Sequence, residues 1–204
     1  MSGDLTAFPP ELQPRAAELG FQRPHKYAHV ERERRWLLDG PPPGLADADG
    51  WAILDLYIEG TRLRLREMRS LVGGGVERKL TKKADLSQDR RVVTTIYLTE
   101  DEYALLASLP GHAIQKVRRS LHLDGVTVSV DVFDGPLRGL VLAEAEFPSD
   151  AEMAAFPSPT FALREVTAEL SYSGGVLVRG GRPEEARALA STDSHDPLRS
   201  ARKA

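Results

Sequence analysis

The sequence predicts a mainly β fold of the α+β class, an antiparallel barrel or sandwich with a few flanking helices. Short strand-like runs recur along most of the 204 residues, and turn dipeptides such as Glu59-Gly60 and Asp124-Gly125 separate them. These dipeptides suit tight hairpins, which need positive φ angles. Several runs also alternate charged with apolar residues at the period of two that a half-buried strand requires. Many short strands at regular spacing are typical of barrels and sandwiches.

The predicted strands and helices follow one another closely along the chain. The predicted strand bounds are 27–38, 52–58, 61–68, 76–83, 91–97, 112–121, 125–133, 139–147, 161–171 and 175–178. Thr99 with Glu102 and Ser149 with Glu152 fit the capping-box pattern, which predicts helices over 100–109 and 151–156. Pro183, suited to a first helical turn, predicts a third helix over 183–191.

The strand-rich region predicts one central domain over residues 27–180, since the chain is long enough for one domain with a sizeable core. Residues 1–26 hold a short, Pro-interrupted helical segment and are expected to form an N-terminal appendage. Residues 181–204 are expected to form the short helix and then a polar, Ser-rich, disordered tail.

Composition narrows the class of function. The net charge of −3 gives no overall attraction to nucleic acid, so an anion site must come from local clustering. The chain has no cysteine, which excludes disulfides and thiolate zinc sites and fits a reducing compartment, with the cytoplasm as the expected location. No leader-like segment or run of 18 apolar residues is visible, so no membrane partner is expected.

Charged residues concentrate on single faces of several predicted strands, because residues at i and i+2 project the same way. The same-face sets are Glu31, Glu33 and Arg35; Arg62, Arg64 and Arg66; Lys116 and Arg118; Ser129 and Asp131; and Glu144 and Glu146. One interpretation is that these are the solvent faces of an ordinary antiparallel sheet. The sorting of the charges by sign favours a functional interior instead, because a plain solvated face mixes signs.

Such an interior suits a polyanion and a metal ion together. Carboxylates supply the hard oxygen ligands that Mg²⁺ and Mn²⁺ prefer, and arginine and lysine supply counter-charge for a chain of phosphates. If the sheet closes, both sets of side chains face one shared lumen.

The segment Glu31-Arg-Glu-Arg-Arg35 resembles the opening glutamate-x-glutamate-x-lysine strand of CYTH-domain proteins, the triphosphate tunnel metalloenzymes. Segments 61–67, 80–83, 115–121, 130–147 and 165–172 also occur in the family's order, so the resemblance covers roughly residues 27–178. It implies a closed, eight-stranded antiparallel tunnel that binds a triphosphate on basic residues and divalent metal, Mg²⁺ or Mn²⁺, on acidic ones. Inorganic triphosphatases, thiamine triphosphatases and class IV adenylyl cyclases are members.

The resemblance also implies roles for individual residues. The metal-binding carboxylates would be Glu31, Glu33, Glu144 and Glu146, with Asp131 assisting, and the four glutamates would share the catalytic work with Arg35. The substrate-binding residues would be Arg62, Arg64, Arg66, Lys79, Lys83, Lys116, Arg118 and Tyr172. Lys82 is the rival of Lys83 for the lysine of the intervening strand.

Two positions depart from the family pattern. Arg35 stands where the family usually has lysine, and arginine does not readily shed a proton, so Arg35 suits phosphate binding better than proton transfer. Ser171, next to Tyr172, stands where the family often has a basic residue.

The sequence therefore predicts a metal-dependent hydrolase of a triphosphate-bearing small molecule, with inorganic triphosphate favoured. A class IV-type adenylyl cyclase and a non-catalytic polyphosphate- or nucleotide-binding module are the alternatives. Nucleic-acid binding is disfavoured by the acidic pairs and the negative net charge. The expected assembly is a monomer or a homodimer.

Overall fold

A computed structural model describes residues 28–186 together with Pro10, Gln13 and Pro14. The other residues of the predicted appendage and disordered tail, and most of the predicted helix over 183–191, lie outside the described residues. Residues 184–186, at the start of that helix, are helical.

The described part of the chain contains nine strands, three α-helices with both ends described and three short 3-10 helices. The strands are β1 (Ala28–Leu38), β2 (Gly50–Ile58), β3 (Leu63–Ser70), β4 (Val76–Asp85), β5 (Arg90–Tyr97), β6 (Gly111–Leu123), β7 (Val126–Phe133), β8 (Val141–Glu146) and β9 (Arg164–Glu165). The helices are α1 (Glu100–Ala107), α2 (Asp150–Ala155) and α3 (Gly174–Gly180). No helix in this part of the chain is long and apolar enough to cross a membrane.

Strands β1 to β8 close into one antiparallel barrel. The strand order is β5-β4-β3-β2-β6-β7-β8-β1-β9, and an additional pairing of β5 with β1 closes the ring. Residues 28–32 of β1 pair with β5, residues 33–38 pair with β8, and β9 adds a short pairing at Trp36 and Leu37. The prediction of a closed, eight-stranded antiparallel barrel is confirmed.

Local signals in the sequence explain the turns and helix starts. Asp124 and Gly125 both adopt positive φ in the β6–β7 hairpin, as the Asp-Gly turn predicted. The Thr99–Glu102 capping box forms at the start of α1, and the Ser149 hydroxyl accepts a hydrogen bond from the Glu152 amide at the start of α2. Both predicted helices are present, each with its ends within two residues of the prediction.

Two predicted strands are wrong. Only Arg164–Glu165 of the predicted strand over 161–171 is extended and paired, and the predicted strand over 175–178 lies within helix α3. The closed barrel explains both differences. Because β5 and β8 occupy most of the two edges of β1, only Trp36 and Leu37 remain to pair with a further strand. The chain beyond β9 therefore has no free edge to join.

The two faces of the barrel wall carry different cores. Outside, Trp36, Val130 and Ala143 pack with Phe147 and Phe156 beneath the segment around α2. Inside, an apolar cluster at one end of the tunnel joins Leu37, Phe133 and Leu142 from the strands to Tyr172 and Leu177 from the C-terminal segment. Side chains alternate between the two faces along each strand. The other inward-facing side chains, between this apolar cluster and the opposite mouth, are the charged ones. Here "the tunnel" means this interior of the barrel.

Candidate functional site

The tunnel contains a cavity of about 480 Å³ with a strongly charged lining. Its cations are Arg35, Arg62, Arg64, Arg66, Lys83, Arg91, Lys116, Arg118 and Arg179, and its carboxylates are Glu31, Glu33, Asp55, Asp85, Glu144 and Glu146. Nine cations against six carboxylates leave the cavity positive although the whole chain is negative. The local clustering required for an anion site is present.

Asp55 of β2 anchors the arginines of β3. Its carboxylate is 1% exposed and accepts hydrogen bonds from Arg66 Nε (2.6 Å) and Nη2 (2.7 Å), and Arg64 Nε lies 3.6 Å away. Burial alone would raise the pKa of Asp55, but the two arginines outweigh it and hold that pKa well below its usual value. Asp55 therefore stays ionised and fixes the direction of the β3 arginines.

Asp131 of β7 anchors the cations of the neighbouring strand β6, as Asp55 anchors those of β3. It is fully buried and accepts hydrogen bonds from Lys116 Nζ (2.5 Å) and from Arg118 Nε and Nη2 (both 2.6 Å). Both carboxylate oxygens are engaged, and Asp131 does not line the cavity. Its position is that of a support that orients Lys116 and Arg118 into the tunnel.

Arg35 joins the two strands that carry the tunnel glutamates. It is 4% exposed and donates to Glu33 on its own strand, to Glu144 Oε1 on β8 (3.0 Å) and to the carbonyl of Tyr172 (3.2 Å). Burial opposes its charge, but Glu144 and Glu33 outweigh burial and raise the pKa of Arg35 above the ordinary arginine value. A buried and permanently charged group of this kind needs its anionic partners.

The acidic side of the tunnel lies where β1 meets β8. Glu33 and Glu146 are register partners, and Lys83 Nζ donates to Glu31 (2.7 Å) from β4. Glu146 has no ion-pair partner among the residues that the structure describes. Burial and the neighbouring charge of Glu31 raise the pKa of Glu146, so a cation placed there would be favoured.

Some tunnel arginines lack an ion pair or a hydrogen-bond acceptor among the described residues. Arg62 and Arg179 form no ion pair within the described part of the chain, and the buried Nε of Arg64 has no hydrogen-bond acceptor there. Buried donors without acceptors are rare and costly in folded proteins. Arg64 has this unfilled donor although Asp55 lies nearby, and Arg62 and Arg179 are exposed and unpaired among these residues, so all three can receive an anion.

Helix α3 covers one end of the tunnel. A Cβ atom on Gly174 would lie 1.9 Å from the Tyr57 hydroxyl oxygen, so only glycine permits this close approach of helix and strand. Leu177 of α3 joins the apolar cluster at the same end, and Arg179 of α3 lines the cavity. Burial raises the pKa of Tyr57 to about 12, so its hydroxyl stays neutral.

Most of the residues predicted for the site meet in this cavity. The predicted residues that line it are Glu31, Glu33, Arg35, Arg62, Arg64, Arg66, Lys83, Lys116, Arg118, Glu144, Glu146 and Tyr172. Lys79 does not line it, because its ammonium pairs with Glu77 (2.6 Å) and lies 5.1 Å from the centre of the Tyr97 ring. Lys82 is exposed, whereas its rival Lys83 lines the cavity.

Sequence reasoning missed four charged lining residues: Asp55, Asp85, Arg91 and Arg179. Asp55 had a usable signal, since it is the one acidic residue in the apolar run 51–58. Arg91 begins a strand next to a second arginine, so its face was ambiguous. Arg179 directly follows the predicted strand over 175–178, and its position depends on the docking of α3.

A closed antiparallel barrel with this charged interior defines a class of protein, the β-barrel tunnel that encloses an ionic ligand. Comparison with known proteins finds similar sequences and structures. An inorganic triphosphatase of Acetivibrio thermocellus is 41% identical over 66 residues, which are 32% of this chain and 41% of that relative. The chain thus matches about two fifths of the length of this curated relative. No family model matches the chain.

Solved structures agree over a longer span. The crystal structure of an inorganic triphosphatase is 27% identical, with a TM-score of 0.52, covering 72% of this chain and 93% of the other. A second crystal structure, of a protein described as hypothetical, is 26% identical with a TM-score of 0.51 and covers 72% of this chain and 97% of the other. These similarities support the resemblance to the CYTH, or triphosphate tunnel, family.

Proposed function

We propose that this protein is a metal-dependent hydrolase of a triphosphate, with inorganic triphosphate as its substrate. The observation that carries the proposal is the closed-ended cavity with nine inward cations, of which Arg62 and Arg179 have no ion-pair partner among the described residues. A linear polyanion satisfies several arginines at once through charge-assisted hydrogen bonds. The inorganic triphosphatase activity of the similar proteins supports the choice of substrate.

The acidic residues at the β1–β8 junction fit a divalent cation. We propose Glu31, Glu33, Glu144 and Glu146 as its ligands, since all four line the cavity and present only hard carboxylate oxygens. No three side chains in the described part of the chain are already arranged to hold a metal. Three of the four glutamates instead hold arginine or lysine. Asp131 is excluded from the proposed set, because both its oxygens accept from Lys116 and Arg118.

The metal would be Mg²⁺ or Mn²⁺, and it would neutralise phosphate charge and help to generate the attacking water. The protein's own part is mainly positioning. Arg62, Arg64 and Arg118 would hold the phosphate chain, and Asp55 and Asp131 keep the neighbouring arginines and lysine from turning away. Phosphoryl transfer needs alignment and charge stabilisation more than covalent chemistry from the protein, so such an arrangement suits it.

The tunnel end favours inorganic triphosphate over a nucleotide. Tyr57 and Gly174 meet there without space for a further atom between them, and the apolar cluster lies behind them. An adenylyl cyclase would need room for a ribose and a base beside the phosphates. Trp36, an aromatic side chain of β1 that could otherwise stack on a base, is 0% exposed in the external core and points away from the tunnel.

A non-catalytic binding module is the second candidate, and Arg35 is the observation that favours it. Each guanidinium nitrogen donates to one acceptor, in Glu33, Glu144 or the carbonyl of Tyr172, and arginine keeps its proton, so Arg35 does not act as a base toward a bound water. We also propose a cytoplasmic location, no nucleic-acid or membrane partner, and a monomer or homodimer, in keeping with the absence of cysteine.

Phosphate release tests the proposal. The purified protein is incubated with inorganic triphosphate, thiamine triphosphate or ATP, each with Mg²⁺, Mn²⁺ or EDTA, and cyclic AMP is assayed in the ATP samples. Metal-dependent release from inorganic triphosphate is expected. Cyclic AMP would select the cyclase instead, and binding of triphosphate with no release in any sample would select the binding module.

A further inference from the structure

Three of the tunnel glutamates are paired with tunnel cations. Glu31 pairs with Lys83 (2.7 Å), Glu33 with Arg35 and with Arg91 (3.3 Å), and Glu144 with Arg35 (3.0 Å) and Arg118 (2.7 Å). The groups suited to a metal and the groups suited to phosphate are thus partners of each other.

Arg35 is the most connected member of this set. It bridges Glu33 of β1 and Glu144 of the neighbouring strand β8. Glu144 lies 109 residues from Arg35 in the sequence. Its third contact, to the carbonyl of Tyr172, fixes the guanidinium from the closed end of the tunnel. Arginine cannot lose its proton at any ordinary pH, so this buried charge always needs anions around it.

Binding of either ligand alone would break these pairs at a cost. A metal ion that takes Glu33 and Glu144 leaves Arg35 buried beside a second positive charge. A polyphosphate that takes Arg35 leaves the two glutamates buried beside phosphate oxygens. Removing one partner of a buried ion pair is strongly unfavourable, because the other charge remains without compensation. Binding of both ligands replaces every broken pair with a new one.

We infer that Arg35 couples the two binding events, so that metal and triphosphate each bind weakly alone and tightly together. When both ligands bind, Glu33 and Glu144 give up their contacts with Arg35 and bind the metal. Arg35 then donates to a phosphate oxygen instead. Arg35 is thus a positioning residue that neutralises Glu33 and Glu144 when the tunnel is empty. The inference rests on the proposed function for the identity of the two ligands, and it concerns binding rather than turnover.

The shape of arginine explains why it does this better than lysine. A planar guanidinium directs donors to opposite sides, and here they reach Glu144 from Nε and Glu33 from Nη2. An ammonium is a point charge on a flexible stem and does not offer this fixed fork. Lysine at position 35 would leave one of the two glutamates more available to a metal, which should weaken the coupling.

Titration of the binding sites tests the inference without measuring hydrolysis. Free Mn²⁺ is followed by its paramagnetic resonance signal during titration of the protein, with and without imidotriphosphate, in which nitrogen replaces the bridging oxygens. A titration without protein corrects for the complex of Mn²⁺ with the analogue. The Mn²⁺ dissociation constant is expected to fall at least about tenfold when the analogue is present. By linkage, Mn²⁺ should tighten binding of the analogue by the same factor, as calorimetry with and without EDTA would show.

Variants of two adjacent residues on β1 assign the effect to Arg35. Arg35→Met should tighten Mn²⁺ binding in the absence of the analogue and reduce the coupling to less than about threefold, and Arg35→Lys should lie between Arg35→Met and the wild type. Glu33 and Glu144 keep Arg91 and Arg118 as partners in both variants, which favours folding. Arg34→Met is the matched control, since Arg34 faces outward and pairs with Glu165 (2.6 Å). It should leave both constants unchanged.

Two results would overturn the inference. One is equal Mn²⁺ affinity of the wild type with and without the analogue, and the other is undiminished coupling in folded Arg35→Met and Arg35→Lys proteins. Circular dichroism establishes that the variants are folded. Failure of the proposed function would look different, because the coupled binding would be present while inorganic triphosphate released no phosphate.

Discussion

Replacement of Asp55 by asparagine tests whether the tunnel wall depends on a buried charge. The carboxylate is 1% exposed and accepts two short hydrogen bonds from Arg66, at 2.6 and 2.7 Å. Asparagine has nearly the same volume, so packing is kept, but the charge and one acceptor oxygen are lost. Breaking a buried ion pair from one side costs about 3–5 kcal/mol. The free energy of unfolding of Asp55→Asn should fall by roughly this amount.

Urea denaturation at pH 7, followed by tryptophan fluorescence, measures the change. Asp134→Asn is the control, because Asp134 is an exposed carboxylate that also pairs with an arginine, Arg138 (2.8 Å), outside the tunnel. Exposed pairs contribute little, so this variant should unfold at nearly the wild-type urea concentration. Inorganic triphosphate without metal should raise the unfolding free energy of Asp55→Asn more than that of the wild type, because Arg64 and Arg66 have lost their counter-charge.

The same variant has a defined pH signature. Arg66 and Arg64 hold the pKa of Asp55 below its unfolded value of about 3.9, despite the opposing effect of burial. Its stabilising contribution is therefore complete above about pH 4 and is lost as the pH falls toward the folded-state pKa. The stability gap between wild type and Asp55→Asn should narrow below pH 4. A gap under about 1 kcal/mol at pH 7, or one that widens in acid, would refute the assignment of Asp55 as a buried counter-ion.

Three further substitutions probe the mouth, the metal side and the closed end of the tunnel. Arg62→Ala should raise KM for inorganic triphosphate by an amount equivalent to about 2–3 kcal/mol, since it removes a charge-assisted phosphate contact. An unchanged KM in steady-state assays would place Arg62 outside the substrate site. Glu146→Ala should abolish metal-dependent phosphate release while leaving the circular dichroism spectrum intact, and retained activity across a Mn²⁺ titration would remove Glu146 from the metal site. Gly174→Ala should lower the melting temperature by several degrees through a clash with the Tyr57 hydroxyl, at about 1–3 kcal/mol for overpacking. The double variant Gly174→Ala with Tyr57→Phe should recover part of that loss, and no recovery would argue against the contact.

The barrel itself was predictable because every strand carried its own local signal. Alternation in the segments around Glu33, Arg64 and Glu144 marked one face of each strand, and turns such as Asp124-Gly125 marked the ends. The same alternation predicted most of the site, because side chains on the inward face of a closed sheet all point into one interior. A family resemblance was needed to choose a closed barrel over a sandwich.

What could not be predicted depends on contacts that close the fold. The run from 161 to 171 alternates like a strand, but the edge it would join is already occupied by β5. The β-branched residues Val176 and Val178 favoured a strand, yet a helical turn places Leu177 in the apolar end of the tunnel. Lys79 lies on the same face of β4 as Lys83, but it lies four residues earlier in the strand, where its ammonium pairs with Glu77. Tertiary context overrides local propensity at each of these positions.

The split pairing of β1 has a kinetic consequence. The first strand of the barrel must find both β5 and β8 before the ring closes, and the Arg35–Glu144 contact spans 109 residues. Folds dominated by such non-local pairings fold slowly, on the millisecond to second scale, because long loops must close first. The glutamates of β1 and β8 come together only at that late step. Ligands should therefore act on the lifetime of the folded protein, slowing its unfolding, and leave the rate at which the chain first folds almost unchanged.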